Sequence, residues 1–298
     1  MTQVLDRRRA GRYRHAATGS YTSPHHPFLK HLILIAICVV MVYPLLWMAA
    51  ASFRPDADIN NYSLWPGKDF TLHNYAVGWQ GLAGTGFGHF FLNSLVIAVA
   101  AVIGNVISCS LAAYAFARVN FVLRRVWFAL MLGTLMIPYH AILIPQYLLF
   151  RQFGWLNTPL PLIVPKFLAV DAFFIFLLTQ FIRNLPRELD DAARIDGCGH
   201  FQIYLRVVLP LLRPALATTA VLTFIYSWND FFSPLVYLTQ TSSYTVPVAL
   251  QALGDTSAQF SVGALFAMSL VALAPLFVLF ISFQRLLISG IATTGLKG

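Results

Sequence analysis

Carboxylates, guanidinium groups and small residues gather in one stretch of this 298-residue chain. It reads Arg183-Asn-Leu-Pro-Arg-Glu-Leu-Asp-Asp-Ala-Ala-Arg-Ile-Asp-Gly197, then Cys-Gly-His-Phe-Gln-Ile-Tyr-Leu-Arg-Val-Val-Leu-Pro210. Pro186 suits the first turn of a helix, where its missing N–H costs nothing. Glu188, Asp190 and Asp191 then crowd the positive end of the helix dipole. Gly197 is placed to stop that helix in the left-handed conformation. The spacing predicts a short acid-led helix, a glycine stop, and a second helix running to Leu209 and Pro210. Leu189, Ala192, Ala193 and Asp196 fall at i, i+3, i+4 and i+7, so small and apolar side chains share one face of a charged element. Two readings stand: a partner surface seats closely on the two alanines, or the loop folds back on its own bundle.

Other reactive groups sit inside apolar runs, where an ionisable side chain costs about 2.5–3.5 kcal/mol to insert in a membrane. They are His140, Lys166, Asp171 and Asp230. Lys166 is near enough to one end of its run to extend its ammonium to lipid headgroups. Asp171 either pairs with Lys166 or a neighbouring subunit, or faces a path through the bundle. His140, between Pro138 and Pro145, reads as a packing histidine. Trp228, Asn229 and Asp230 form a cluster that either stacks on and hydrogen-bonds a sugar ring or anchors the chain at a membrane interface. Asn93, Ser94, Asn105, Ser108 and Ser110 read as hydrogen-bonding groups between helices. Catalytic chemistry finds no constellation. His200 near Cys198 does not make a site, and Cys38, Cys109 and Cys198 are too scattered for a disulfide framework or zinc site, so they read as buried small hydrophobes. Gly81, Gly84, Gly86 and Gly88 follow no strand and make no phosphate loop. No G-x-x-x-x-G-K-[ST] stretch exists, so the chain does not itself hydrolyse ATP.

The elements that hold these residues follow from composition. The chain is 58% hydrophobic and 10% charged, against about 25% charged in a soluble domain. Its mean hydropathy is +0.69. Such a surface excludes a soluble enzyme, a disordered regulator and an ordinary nucleic-acid binder. A transmembrane helix needs about 20 apolar residues, and six stretches qualify: 32–53, 90–117, 126–150, 160–182, 214–238 and 262–288. The fold class expected is all-α and membrane-integral. Residues 1–31 form a basic tail, 32–288 the six-span domain, and 289–298 a second tail. A cleaved signal is the other reading of the first run, with Ala49-Ala50-Ala51 as its small residues. That run is longer than the usual signal core of about 7–15 residues.

Charge sets the orientation. One side of the six spans collects sixteen of the 20 basic residues, from Arg7 to Arg14 and Lys30 through Arg118, Arg124 and Arg125 to the loop 183–213, Arg285 and Lys297. The other side holds Arg54, Lys68 and Arg151. The positive-inside rule then places both termini and the loop 183–213 in the cytoplasm, and the charge of +9 needs no nucleic acid. The outer segment from Arg54 to His89, with Trp65 and Trp79, is long enough for an interfacial cap and short for a domain with its own core.

Asp191-Ala192-Ala193, three residues, Gly197, nine residues, then Val207-Val208-Leu209-Pro210 resembles the EAA motif, which marks the permease subunits of bacterial binding-protein-dependent ABC importers. The motif usually has Glu where Asp191 stands and Ile where Val207 stands. Met136-Ile-Pro, Leu156-Asn-Thr, Trp228-Asn-Asp-Phe and Gly295-Leu-Lys-Gly are similar to the family's wording too, and the layout is similar to the maltose-permease G-type subunits of the carbohydrate branch. The resemblance implies a coupling helix seated in a cytoplasmic ATPase subunit, with Glu188, Asp191, Ala192, Ala193, Asp196, Gly197, Leu209 and Pro210 forming the coupling element. It implies a second permease subunit, an extracytoplasmic solute-binding protein, no cofactor of the chain's own, and a sugar passing through the inner membrane. Asp171, Trp228, Asn229 and Asp230 would line the path. The family also carries glycerol-3-phosphate, but no basic cluster lies within the spans to hold a phosphate, which favours a neutral sugar.

An ion-coupled secondary transporter is the competing reading. It would use Asp171 and His140, and internal duplication would be expected; none is evident between 29–150 and 151–290. A membrane enzyme would need convergent His, carboxylate or Cys groups that the chain lacks. The charge asymmetry predicts that reporter fusions after Lys68 and after Gly197 give opposite signals, periplasmic and cytoplasmic. Finding both in the same compartment would overturn the orientation.

Overall fold

The computed structural model describes residues 27–59, 64, 70–255 and 261–295. The basic leader with Arg7 to Arg14, Trp65, Lys68 and Lys297 lie outside the described residues. Among those described the chain is helical, with no strand and one isolated bridge between Leu82 and Thr85. It divides into two units, Met1–Trp47 and Met48–Gly298.

The described part of the first unit is most of helix α1 (Pro27–Ser52). Its span from Lys30 is apolar all round and has none of its window buried within the chain. A helix without a polar face is built for lipid or for other helices. Cys38, expected to be buried, is exposed on it.

The second unit is organised on one long helix. After α2 (His73–Gln80) comes α3 (Phe87–Arg118), 32 residues without a break, about 48 Å at 1.5 Å per residue. Then follow α4 (Arg124–Gly133), α5 (Tyr139–Gln152), the short α6 (Leu160–Ile163), α7 (Ala172–Arg183), α8 (Glu188–Ile195), α9 (His200–Ile203), α10 (Leu209–Leu211), α11 (Arg213–Trp228), α12 (Phe232–Tyr237), α13 (Val246–Asp255) and α14 (Val262–Gly295). Helix α3 packs along α11 and α7. Its buried stripe includes Ala98, Ala101, Gly104, Ala113 and Ala117. Small residues let helix backbones approach closely. At Gly104 a methyl group would lie 2.5 Å from the ring of Phe167.

The polar residues expected to bridge helices do so. Asn105 donates to Thr223 Oγ1 on α11 at 2.8 Å, and both are buried. Ser110 shares a 2.7 Å hydrogen bond with the Tyr204 hydroxyl, and Ser108 donates to the Lys166 carbonyl. Asn93 donates to the Ser242 and Tyr244 carbonyls, and Ser94 accepts from Val246 N–H. Two apolar clusters flank this axis. One holds Cys109, Tyr114, Leu178, Ile182, Ala193, Ile203 and Val208; the other holds Phe87, Phe90, Trp228, Leu253 and Met268.

Among the described residues, four helices are long and apolar enough to cross a membrane: Lys30–Ser52, Phe87–Arg118, Leu160–Arg183 and Val262–Gln284. Two bent pairs raise the number to as many as six, Arg124–Met136 with Tyr139–Gln152 at 101° and His200–Leu211 with Arg213–Trp228 at 78°. Three of the six expected stretches are therefore not simple rods. The third breaks at Pro138, because the residue before a proline is driven out of the helical region; Ile137 has ψ of 122°. The fourth tightens into a 3₁₀ turn from Val164 to Leu168 and stops at Ala169, whose φ is +53°. The fifth, expected to run to Leu238, ends at Trp228, and the separate α12 follows. The sixth continues through Pro275 to Gly295.

Asn157 ties two loops at one end of the bundle. It adopts φ of +61°, a conformation that Asn tolerates better than other side chains. Its Oδ1 accepts from the backbone N–H groups of Thr239 and Gln240 at 2.7 and 2.9 Å and from the Thr239 hydroxyl at 3.0 Å. Its carbonyl accepts from Ser243 Oγ. Asn157→Leu removes the acceptor and strains the backbone, for an expected cost of about 1–3 kcal/mol. The melting temperature of the purified protein in detergent should fall, and Asn157→Asp should recover most of the loss. An unchanged melting temperature in Asn157→Leu would show that the bracket does not hold the loops.

Candidate functional site

Two regions bear chemistry. The first is the stretch 183–213. Helix α8 begins at Glu188, and the Asp190 and Asp191 N–H groups bond the Arg187 carbonyl at 2.9 and 3.1 Å. It ends at the glycine stop. Gly197 has φ of +82°, its N–H bonds the Arg194 carbonyl at 2.9 Å, and Cys198 N–H reaches back to the Ala193 carbonyl at 2.9 Å. These two bonds make a Schellman closure, which satisfies carbonyls the helix end would leave open. A Cβ at Gly197 would meet nothing within 4 Å, so the glycine answers to backbone conformation alone. Gln202 accepts from Gly199 N–H and opens α9.

The helix then widens. Tyr204–Val208 form a π turn in which Leu209 N–H bonds the Tyr204 carbonyl. Pro210 explains the position: it lacks the N–H that the Arg206 carbonyl would receive, and its ring crowds that turn. A π turn gives the crowded carbonyl room.

The face of α8 differs from the sequence expectation. Ala192 is exposed with Glu188, Asp191, Asp196 and Leu189, and Ile195 is 88% exposed. Ala193 is buried and packs in the chain's own cluster with Ile182, Ile203 and Tyr204. The two alanines therefore face different surroundings, because adjacent helix positions are 100° apart. Asp191 forms an exposed ion pair with Arg194 at 3.3 Å. The buried acid is its neighbour Asp190, whose carboxylate lies 3.1 Å from Arg118 Nε at the last turn of α3. Arg118 Nη2 also donates to the Leu185 carbonyl at 2.7 Å. By sequence, Arg118 bears only on orientation and Asp190 only on the helix dipole; no local spacing pairs residues so far apart.

The second region is a cavity of about 420 Å³ lined by Tyr139, Lys166, Asp171, Thr223, Tyr226 and Asp230, among others. A recess of about 400 Å³ shares Tyr139, Asp171 and Tyr226. Three of the helix breaks deliver side chains to it. Tyr139 follows the Pro138 break, Lys166 and Asp171 flank the Ala169 break, and Asp230 lies in the gap after α11. Lys166 Nζ bonds Asp171 Oδ2 at 2.8 Å, with 31% and 27% of the two side chains exposed. Asp230 accepts from the Ser233 N–H and hydroxyl, and Ser233 Oγ shares a 2.6 Å bond with the Tyr139 hydroxyl.

Asp171 and Asp230 thus line one cavity, and Trp228 is not among its lining residues. Trp228 is 2% exposed, stacks on Phe224 at 5.7 Å and donates from Nε1 to the Ala272 carbonyl. Its ring is a core element. Asn229 caps α11 by donating to the Ile225 carbonyl. His140 packs edge-on against Phe232 at 5.0 Å. Tyr139, Tyr226 and Thr223 were not singled out from sequence, since ordinary hydroxylic residues acquire meaning only where the breaks converge.

Residues 104–293 match the family described as binding-protein-dependent transport system inner membrane component. The arabinooligosaccharides transport system permease protein of Halalkalibacterium halodurans is 36% identical over 282 residues, covering 93% of this chain and 99% of its own length. The trehalose/maltose transport system permease protein of Thermococcus litoralis is 30% identical over 274 residues, 91% of this chain and 98% of that protein. Among solved structures, a bacterial ABC transporter that imports the acidic polysaccharide alginate superposes with a TM-score of 0.77 at 21% identity, covering 90% of this chain and 99% of the other. This likeness extends the shared fold to nearly the whole molecule. The chain therefore belongs to the binding-protein-dependent transport permeases, the multi-pass inner-membrane components of bacterial ABC importers, and within them to the carbohydrate branch.

Proposed function

We propose that this chain is one of two permease subunits of an ATP-driven importer, forming half of the path for a neutral oligosaccharide. It has six spans counting the bent pairs, both termini in the cytoplasm, and the tails 1–31 and 289–298 flanking the spans. Helix α8 seats in a cytoplasmic ATPase subunit, an extracytoplasmic binding protein delivers the sugar, and ATP is bound and hydrolysed by the partner. The observation that carries the reading is α8 itself. An eight-residue helix with Leu189 and Ile195 exposed beside Ala192 has an unpaired apolar face on an element that is otherwise charged. Glu188, Asp191, Ala192 and Asp196 supply the contact. Ala193, Gly197, Leu209 and Pro210 set the position of the helix.

The solute assignment rests on the cavity and on the relatives, whose names include arabinooligosaccharides and trehalose/maltose. Asp171 neutralises Lys166, and Asp230 adds a further carboxylate. Such a lining suits hydroxyl-rich neutral sugars and opposes an acidic one.

The docking face is tested by two tryptophans. Ala192→Trp should weaken ATPase co-purification by one to two decades, since overpacking a tight groove costs about 1–3 kcal/mol. Ala193→Trp overpacks this chain's own cluster, so its melting temperature should fall even without the ATPase. Gly197→Val should cost at least about 1–2 kcal/mol through its positive φ and abolish uptake in a protein that still inserts. Full ATPase association in Ala192→Trp would reject the docking face.

The cavity is tested by Asp230→Asn and Asp171→Asn in proteoliposomes. Each charged hydrogen bond is worth about 1.5–3 kcal/mol, so sugar uptake should fall by at least about tenfold while binding-protein-stimulated ATP hydrolysis persists. Unaltered uptake in both would place the sugar path elsewhere.

A further inference from the structure

We infer that the buried Arg118–Asp190 ion pair is a mechanical latch, through which movement of α8 is handed to α3 and thence to the cavity. The inference rests on the reading that α8 docks an ATPase, and it names the residues that transmit the movement.

An eight-residue helix does not hold its place by helix propensity, because short isolated helices are marginal in water. Its contacts must fix it. Of its eight residues only Asp190 and Ala193 are buried. Ala193 offers one methyl group to an apolar cluster. Asp190 offers a charge, and that charge is met by Arg118 at the last position of α3, 3.1 Å away, with 3% and 7% of the two side chains exposed. Arg118 Nε is close to the carboxylate without being aligned for a linear hydrogen bond, whereas Nη2 donates to the Leu185 carbonyl at 2.7 Å. One guanidinium therefore grips both α8 and the strand of chain that leads into it. The Lys166–Asp171 and Arg194–Asp191 pairs are far more exposed, and such pairs hold little.

Burial makes the latch stiff. Separating the two charges would leave each in a dry environment without its partner, which is heavily penalised. Pulling on α8 therefore moves α3 before it opens the pair. The route onward is contiguous. Ser110 of α3 bonds Tyr204 at 2.7 Å and so ties the π turn to the same helix. One turn and more further along, Asn105 bonds Thr223 of α11, and Thr223 lines the cavity with Ile97 of α3. A packed helix with a buried ion pair at its end and a buried hydrogen bond at its middle is the kind of network that carries coupling between distant sites.

The test uses the complete transporter in proteoliposomes, with its ATPase, second permease and binding protein. Asp190→Asn keeps the shape of the side chain, Arg118→Gln shortens it, and each removes one charge. Both variants should still co-purify with the ATPase and keep basal hydrolysis, while stimulation by sugar-loaded binding protein and uptake fall at least about tenfold, the scale of a typical coupling between sites. The second variant is Arg118→Cys with Asp190→Cys, in a background where Cys38, Cys109 and Cys198 are replaced by alanine. A short reducible bis-thiosulfonate bridge should restore stimulation, and reductant should remove it again. A merely structural role would lower yield and melting temperature without separating stimulated from basal hydrolysis. Unchanged stimulation in Asp190→Asn overturns the latch, as does a bridge that restores nothing; should the neutral variants fail to assemble, the bridged pair decides. Loss of ATPase association in Ala192→Trp beside full coupling in Asp190→Asn rejects the latch alone. Retained association in Ala192→Trp rejects the docking reading beneath it.

Discussion

Backbone that leaves the helix inside a membrane must find partners for its N–H and C=O groups, and lipid supplies none. This constraint governs the second unit. Non-helical backbone at membrane depth is tolerated where it is buried in protein or lines a polar cavity. The breaks at Pro138, at Ala169 and after Trp228 obey it by opening on one space of about 420 Å³. Asp230 accepts from the Ser233 N–H across the gap that opens α12, and Ser108 reaches the Lys166 carbonyl inside the 3₁₀ turn. Side chains thus replace the backbone bonds that the breaks forfeit, and the same side chains make the cavity polar. Helix α3, unbroken from Phe87 to Arg118, is the continuous element against which the broken ones are held.

The parts of this arrangement readable from sequence are those set by composition and local spacing. The apolar runs depend on composition alone, and the acid-led helix and the glycine stop depend on residues within one or two turns of one another. Gly197 is the clearest case, because φ of +82° is a demand that one position makes by itself. Hydropathy counts apolar residues without giving them a direction, so it joins residues 214–238 into one rod and leaves Trp228 open between a sugar contact and an interfacial anchor. The structure turns that ring toward Phe224 and Ala272. Arg118 and Asp190 were invisible as a pair for a related reason. Each has an ordinary local explanation, as a basic residue ending a helix and an acid beginning one, and only the tertiary fold brings them together.

The split of the two alanines changes what the motif means physically. Asp191 and Arg194 form an exposed i,i+3 pair, a contact worth about 0.2–0.5 kcal/mol. An aspartate in place of glutamate there has little local energy to lose. Shape carries more. Ala193 lets α8 lie close on Ile182 and Ile203, and Ala192 leaves the outer face low between Leu189 and Ile195. A larger residue at either position would lift the helix from the bundle or hold a partner away from it.

The turn after α8 completes this logic. Pro210 forces a π turn in the preceding segment, and that turn places the Tyr204 hydroxyl on Ser110 of α3. The loop is thereby held to α3 at two points, by the ion pair before the glycine stop and by the hydroxyl pair after it. One point of attachment would let α8 pivot when pushed. Two points of attachment along α3 oppose that pivot, as the proposed hand-over of movement from α8 to α3 requires. The spacing from Ala192 through Gly197 to Pro210 sets the distance between the two attachments, with the glycine reversing the chain between them.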